Sequence, residues 1–219
     1  MKRGVLAILL IVCVGVAAAF AIDPNDLNKV TFQNNTGTKI EMIFLSPGDS
    51  EFWGPDIIGA DYVLKDGGTI TYFVHAPESP FKFDIMATDD KGNKFELYDF
   101  SISSGKQSTV RLTSKNLNAT AGSFTLETVN VTNNTGYEIE YLFVSPDDSD
   151  AWGADLLDSE TTLADGDEHH IVIPVGTAKR TYNLLAYDEN GDEYMFDVKI
   201  DPKKSDTVDV SIEESDMIQ

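Results

Sequence analysis

Through most of this chain apolar residues recur at every second position. Phe81, Phe83, Ile85 and Ala87 alternate with Lys82, Asp84, Met86 and Thr88. That period turns one face of an extended strand inward. Tyr182, Leu184 and Ala186 repeat the pattern in the second half, Ile70, Tyr72 and Val74 form another run, and Val208, Val210 and Ile212 close the chain. Between runs lie NTG, KDGG, DDKG, SSG, ADGD and ENGD, which accept the positive φ that tight hairpins need. No stretch beyond the first 21 residues keeps a helical period. Six or seven short strands separated by such turns predict an all-β fold of the immunoglobulin-like β-sandwich type.

The pattern is written twice. Residues 30–97 align on 129–196 without a gap, with about 21 of 68 pairs identical, the mark of a tandem repeat. Asn34 to Gly37 and Asn133 to Gly136 both read NNTG, and SPGDSEFWGPDII (46–58) returns as SPDDSDAWGADLL (145–157). The organisation this predicts is a leader at 1–21, a β-sandwich repeat at 22–113, a short polar linker at 114–122 and a second β-sandwich repeat at 123–219.

One strand departs from alternation. In Tyr137-Glu-Ile-Glu-Tyr-Leu-Phe-Val144 the second half is apolar on both faces, as in Thr38 to Leu45. Such a strand needs a cover outside its own sandwich, and the Trp-bearing segment follows at once. Pro146 ends the strand, Ser149 suits a helix N-cap and Asp150 a first turn. The expected element is therefore a short helical turn with Trp152 and Leu156 over Leu142 and Val144, and Gly153 allowing close approach. Trp53, Gly54, Asp56, Trp152, Gly153 and Asp155 form this structural motif in the two copies.

Charge and targeting change the picture next. Lys2 and Arg3 precede an apolar run from Val5 to Val16 that is too short to span a bilayer, and Ala19-Phe20-Ala21 offers a cleavage site,. A cleaved signal peptide ending at Ala21 is expected, with a periplasmic or extracellular destination and no stable membrane insertion. The single cysteine, Cys13, leaves with it, so disulfides, thiolate nucleophiles and Cys-ligated metals are excluded in the mature chain. The formal net charge is −21, and losing Lys2 and Arg3 makes it more negative still. Nucleic acid and anionic membrane surfaces are repelled; cations and basic proteins are attracted.

Candidate chemistry is sparse. Asp147, Asp148, Asp150 and Asp155 place four carboxylates within nine positions, and clustered carboxylate oxygens are what calcium takes. The first copy is poorer, with Asp49, Glu51 and Asp56, and the spacing fits no established calcium loop. Asp188-Glu-Asn-Gly-Asp-Glu193 reads as a hairpin turn, because its glycine comes too early for an EF-hand and the bidentate Glu is missing. His169 and His170 adjoin on a strand and point to opposite faces; His75 aligns with Pro174. No G-x-S-x-G elbow occurs, and no carboxylate pair stands out for glycoside hydrolysis. Asn34, Asn118, Asn130 and Asn133 fit the N-glycosylation pattern.

NNTGYEIEYLFVSPDDSDAWGADLL, followed by Ala186-Tyr-Asp-Glu-Asn-Gly-Asp-Glu-Tyr194, resembles a recurrent bacterial exported β domain with an NNTG…VSP…SxxWGxDLL motif. The resemblance covers both repeats; the first copy departs with Pro55 and Ile57-Ile58. It implies an exported β domain and supplies no activity. The expected function is a non-catalytic binding or structural module without a cofactor, whose partner is a protein or cell-envelope component. The alternatives are a calcium-dependent binding protein using the acidic loops and, third, a carbohydrate-active hydrolase.

Overall fold

The computed structural model describes residues 27–120, 122, 124–157, 161–204 and 207–218; the expected leader lies outside them. The protein is all-β. The first repeat contributes β1 (Asn28–Asn35), β2 (Ile40–Pro47), β3 (Thr69–His75), β4 (Phe81–Asp89), β5 (Lys94–Ile102) and β6 (Ser108–Thr113). The second contributes β7 (Thr125–Asn134), β8 (Ile139–Pro146), the two-residue β9 (Gly153–Ala154), β10 (Glu168–Val175), β11 (Arg180–Asp188), β12 (Glu193–Ile200) and β13 (Thr207–Glu213). Among the described residues no helix is long and apolar enough to cross a membrane.

Each repeat splits its strands between two sheets in the same way. In the first, β6-β1-β3 form one and β2-β4-β5 the other. In the second, β13-β7-β10 and β12-β11-β8 correspond to them. β1 runs antiparallel to β3 and parallel to β6, and β7 does the same with β10 and β13. The inward residues of the alternating runs, such as Phe83 and Ile85 in β4 and Leu184 and Ala186 in β11, are fully or almost fully buried. The buried side chains of both repeats make one contiguous core, in which Phe32, Phe83, Tyr182 and Tyr194 are among the largest members.

The turns are held by side chains. Asn34, fully buried, donates its amide to the carbonyls of Thr38 and Leu64, both at 2.8 Å, and its Oδ1 accepts from Thr36. Asn133 does the same with Tyr137, Leu163 and Thr135. The NTG glycines sit at φ 86° and 84°, and their N–H groups reach Asp66 and Asp165 of the facing DG turns. Both amide hydrogens of Asn34 and of Asn133 are thus engaged inside the protein, so these two glycosylation patterns are turn fasteners. At the other end, Asp89 and Asp188 each accept two backbone N–H bonds within their own hairpin, which is the turn expected from DDKG and ENGD.

Part of the segment expected as a linker belongs to the repeat itself. Ser114–Asn116 form a 3-10 turn after β6, and Leu117 bridges to Phe95. Glu214–Asp216 and Met217, which bridges to Tyr194, reproduce this after β13. A shared core and one sheet that takes strands from both repeats predict that the two unfold together,. Calorimetric unfolding is expected to give a single transition whose calorimetric and van't Hoff enthalpies agree; two resolved transitions would contradict it.

Candidate functional site

The repeated Trp-Gly segment is extended, not helical. Ser149 does accept the N–H of Ala151 at 3.2 Å, a local cap, and Ser50 does the same for Phe52 at 2.9 Å. No helix follows, because the next backbone groups are claimed by strands on either side. Asp56 donates its N–H to the carbonyl of Val172 in β10 at 2.8 Å, and Ile57 donates to Ile43 in β2 at 2.8 Å. In the second copy Asp155 donates to Phe73 in β3 at 2.9 Å, and Leu156 to Leu142 in β8 at 2.8 Å. Each segment therefore bridges its own second strand to the third strand of the other repeat. β9 is formally the fourth strand of the β6-β1-β3 sheet, with Val74 opposite Ala154 and His75 opposite Gly153. Among the described residues the first copy forms no such ladder: Pro174, which has no N–H to give, stands where the other side has His75.

The joint is close to two-fold symmetric. Ser50 Oγ donates to Asp148 at 2.7 Å, and Ser149 Oγ donates to Asp49 at 2.7 Å. The N–H of Glu51 adds a bond to Asp148 at 2.9 Å. Some contacts lack a symmetric counterpart. Tyr182 donates its hydroxyl to the carbonyl of Trp53 at 3.0 Å, and burial pushes the pKa of that hydroxyl up. Trp152 donates its backbone N–H to His75 Nδ1 at 3.2 Å. Arg180 lies 3.9 Å above the ring of Phe52.

Extended geometry also reverses the face that Trp152 covers. Side chains alternate along the segment, so Ala151 turns inward while Trp152 turns out,. Trp152 packs on Phe143, Leu185 and Tyr187, with Leu27 and Tyr141 beside it. Leu142 and Val144, the expected contacts, belong to the main core on the opposite face. The strand apolar on both faces does have an outer cover in the second repeat, and Trp152 supplies part of it. Trp53 and Trp152 are both half-buried, and Trp53 leans on Tyr98 with ring centroids 6.4 Å apart. Phe124, just before β7, meets Phe44 of the first repeat edge-on, while Leu27, just before β1, covers the second.

The four carboxylates of the second copy are not gathered. Asp155 is buried, and its Oδ1 accepts the N–H groups of Leu142 and Leu157. Asp148 faces Ser50 across the joint, while Asp147 and Asp150 are exposed. Among the described residues no group of three or more His, Cys, Asp or Glu side chains could hold a metal ion. Asp56 matches Asp155, accepting from Ile43 at 2.8 Å and Ile58 at 3.3 Å. Its Oδ2 is buried with no hydrogen-bond partner among the described residues. Desolvation, only partly offset by the two backbone donors, pushes its pKa up to about 7. Beside it lies a small recess of about 140 Å³ bordered by residues of both repeats, including Tyr72, His169 and His170. Burial, then the neighbouring charge of His170, lowers the pKa of His169. His170 is turned to Asn130 and Glu168.

The two motif glycines serve different needs, which the variants should separate. A Cβ on Gly54 would stand 2.1 Å from the backbone oxygen of Leu45, while one on Gly153 meets nothing within 4 Å but sits at φ 75°. In denaturant unfolding Gly54→Ala should cost about 3 kcal/mol or more, and Gly153→Ala about 1–2 kcal/mol. Asp56 supplies a pH signature. Its folded pKa lies above the ordinary 3.8, so between about pH 4 and 7 the unfolded chain releases a proton that the fold retains. Stability is then lost as pH rises through that window, by up to about 1.4 kcal/mol per pH unit. Asp56→Asn should flatten this part of the profile relative to wild type; an unchanged slope would show that Asp56 is ionised in the fold.

No protein-family profile matches the chain, and no curated protein matches it. Solved structures that are loosely similar in shape include the following two. One is a family 26 carbohydrate-binding module from Eubacterium rectale, solved with maltoheptaose, at 13% identity and a TM-score of 0.25, covering 85% of this chain and 91% of that one. The other comprises fibronectin(III)-like modules of Clostridium thermocellum CbhA, at 10% identity and a TM-score of 0.19, covering 84% and 90%. At scores of this size neither passes on a topology or a ligand.

Proposed function

We propose that this chain is an exported, non-catalytic binding or structural module. It is built from two tandem immunoglobulin-like β-sandwich domains, and its target is a protein or a cell-envelope component. The observation that carries the reading is what the repeated polar residues do. Asn34 and Asn133, Asp56 and Asp155, and Asp89 and Asp188 each hold backbone groups within their own repeat. Asp49 and Asp148 hold the serines across the joint. The repeated motif is engaged in construction, so function falls to the surfaces of one joined two-repeat body. The apolar leader and the acidic surface support release outside the cytoplasm after cleavage at Ala21.

Incubating the purified protein with isolated envelope fractions tests this. Saturable retention without release of any product is expected. Turnover of a glycan or peptide, abolished by replacing one carboxylate, would establish an enzyme instead.

A further inference from the structure

The gapless match between the repeats ends at Leu97, and the reason is structural. In the second repeat Asn183 of β11 stands opposite the single residue Asp197 of β12. In the first, the register slips between Phe83 and Ile85, so that Tyr98 and Asp99 together oppose Asp84. This is a β-bulge, a device that re-aims a side chain and is often found beside functional sites. Asp99 takes up the extra residue at φ 58°, and it alone among the described non-glycine residues has a positive φ. Its N–H donates to the carboxylate of Asp84 at 2.8 Å. Strain of this kind persists where the surroundings enforce it. Its product is Tyr98, which at 54% is the most exposed large hydrophobic side chain among the described residues. Its ring leans on Trp53 at 47°.

The chemistry around that aromatic pair is one-sided. Tyr98 donates its hydroxyl to Glu96 at 2.9 Å. Asp84 and Asp99 flank it, and the neighbouring Lys82 is already paired with Asp99 at 2.8 Å. Three carboxylates to one ammonium, beside two aromatic rings, suit a positive guest. A cation over a ring face is attracted by the ring quadrupole and here also by the rim. The net charge of −21 steers the same class of partner in from a distance.

We propose that the outer face around Tyr98 and Trp53, present in the first repeat only, docks an arginine or lysine side chain of a basic polypeptide partner. This rests on the binding-module reading and names the partner class. A flat neutral ligand has less to gain, because the two rings are tilted to each other and the rim is charged.

Calorimetric titration of the whole protein with a hexa-arginine peptide, at about 0.15 M salt, tests it. Binding is expected to weaken about tenfold in Tyr98→Ala and to persist in Tyr98→Phe, since the ring rather than the hydroxyl faces the guest. Glu96→Gln should weaken it too and reduce its salt dependence. Tyr98 is exposed, so the Ala variant should melt as wild type does; if it does not, Glu96→Gln carries the test. Absence of binding, or equal binding by wild type and Tyr98→Ala, overturns the proposal, the latter because the peptide then merely coats an acidic surface. A neutral hexasaccharide whose binding is lost in Tyr98→Ala would also overturn it while leaving the binding-module reading intact. Turnover of either probe would defeat that reading itself.

Discussion

The structure depends on pairing two strand edges that would otherwise be open. In each repeat the third strand, β3 or β10, pairs on one side with the first strand and has no partner from its own repeat on the other. Its sequence neighbour, β2 or β8, lies in the opposite sheet. An open edge is a template for uncontrolled association. Here each edge is met by the Trp-Gly segment of the other repeat, which is also bonded to its own second strand. The arrangement is an isologous contact of the kind seen in two-fold dimers, made within one chain.

That constraint accounts for much of the motif. The segment must come within bonding distance of its own strand, and at Gly54 no side chain fits against Leu45. It must also turn at once from one strand to another. A single Asp oxygen makes that turn by accepting two N–H groups, those of Ile43 and Ile58 in one copy and Leu142 and Leu157 in the other. In the first copy the other oxygen of Asp56 is buried with no hydrogen-bond partner among the described residues, and desolvation by that burial pushes the pKa of the carboxyl up. The cost of a buried acid is tolerated because the joint and the core need the turn.

Within this shared frame the copies diverge, at the joint as well as away from it. Gly153 is needed for its φ and Gly54 for its space. The hydroxyl of Tyr182 has no counterpart on Phe83, and the bulge at Tyr98 interrupts one sheet and not its twin. The construction is shared, and the differences lie in single contacts of the joint and on the outer face around Tyr98.

Much of the β architecture was legible in the chain. Period-two alternation, turn chemistry and an exact repeat length follow from local rules, so the strands, the hairpins at Asp89 and Asp188 and the need for a cover over β2 and β8 could be read directly. The helical turn at Ser149 was misread for a physical reason. A cap and a favourable spacing describe only what a segment does alone, and two flanking strands offered its backbone better partners. The same reason put Trp152 on the wrong face, since a change from helical to extended geometry changes which side chains share a side. Asn34 and Asn133 fit the N-glycosylation pattern and are nevertheless buried, because a pattern of three residues carries no burial. The reciprocal joint was invisible because identical sequences at a fixed offset show that two segments share a role, and only the tertiary structure brings each beside the other's strand. The sequence alone determined strands, turns and duplication, which depend on neighbours in the chain. The tertiary structure decided the joint, the ionisation of Asp56 and the exposure of Tyr98, which depend on neighbours in space.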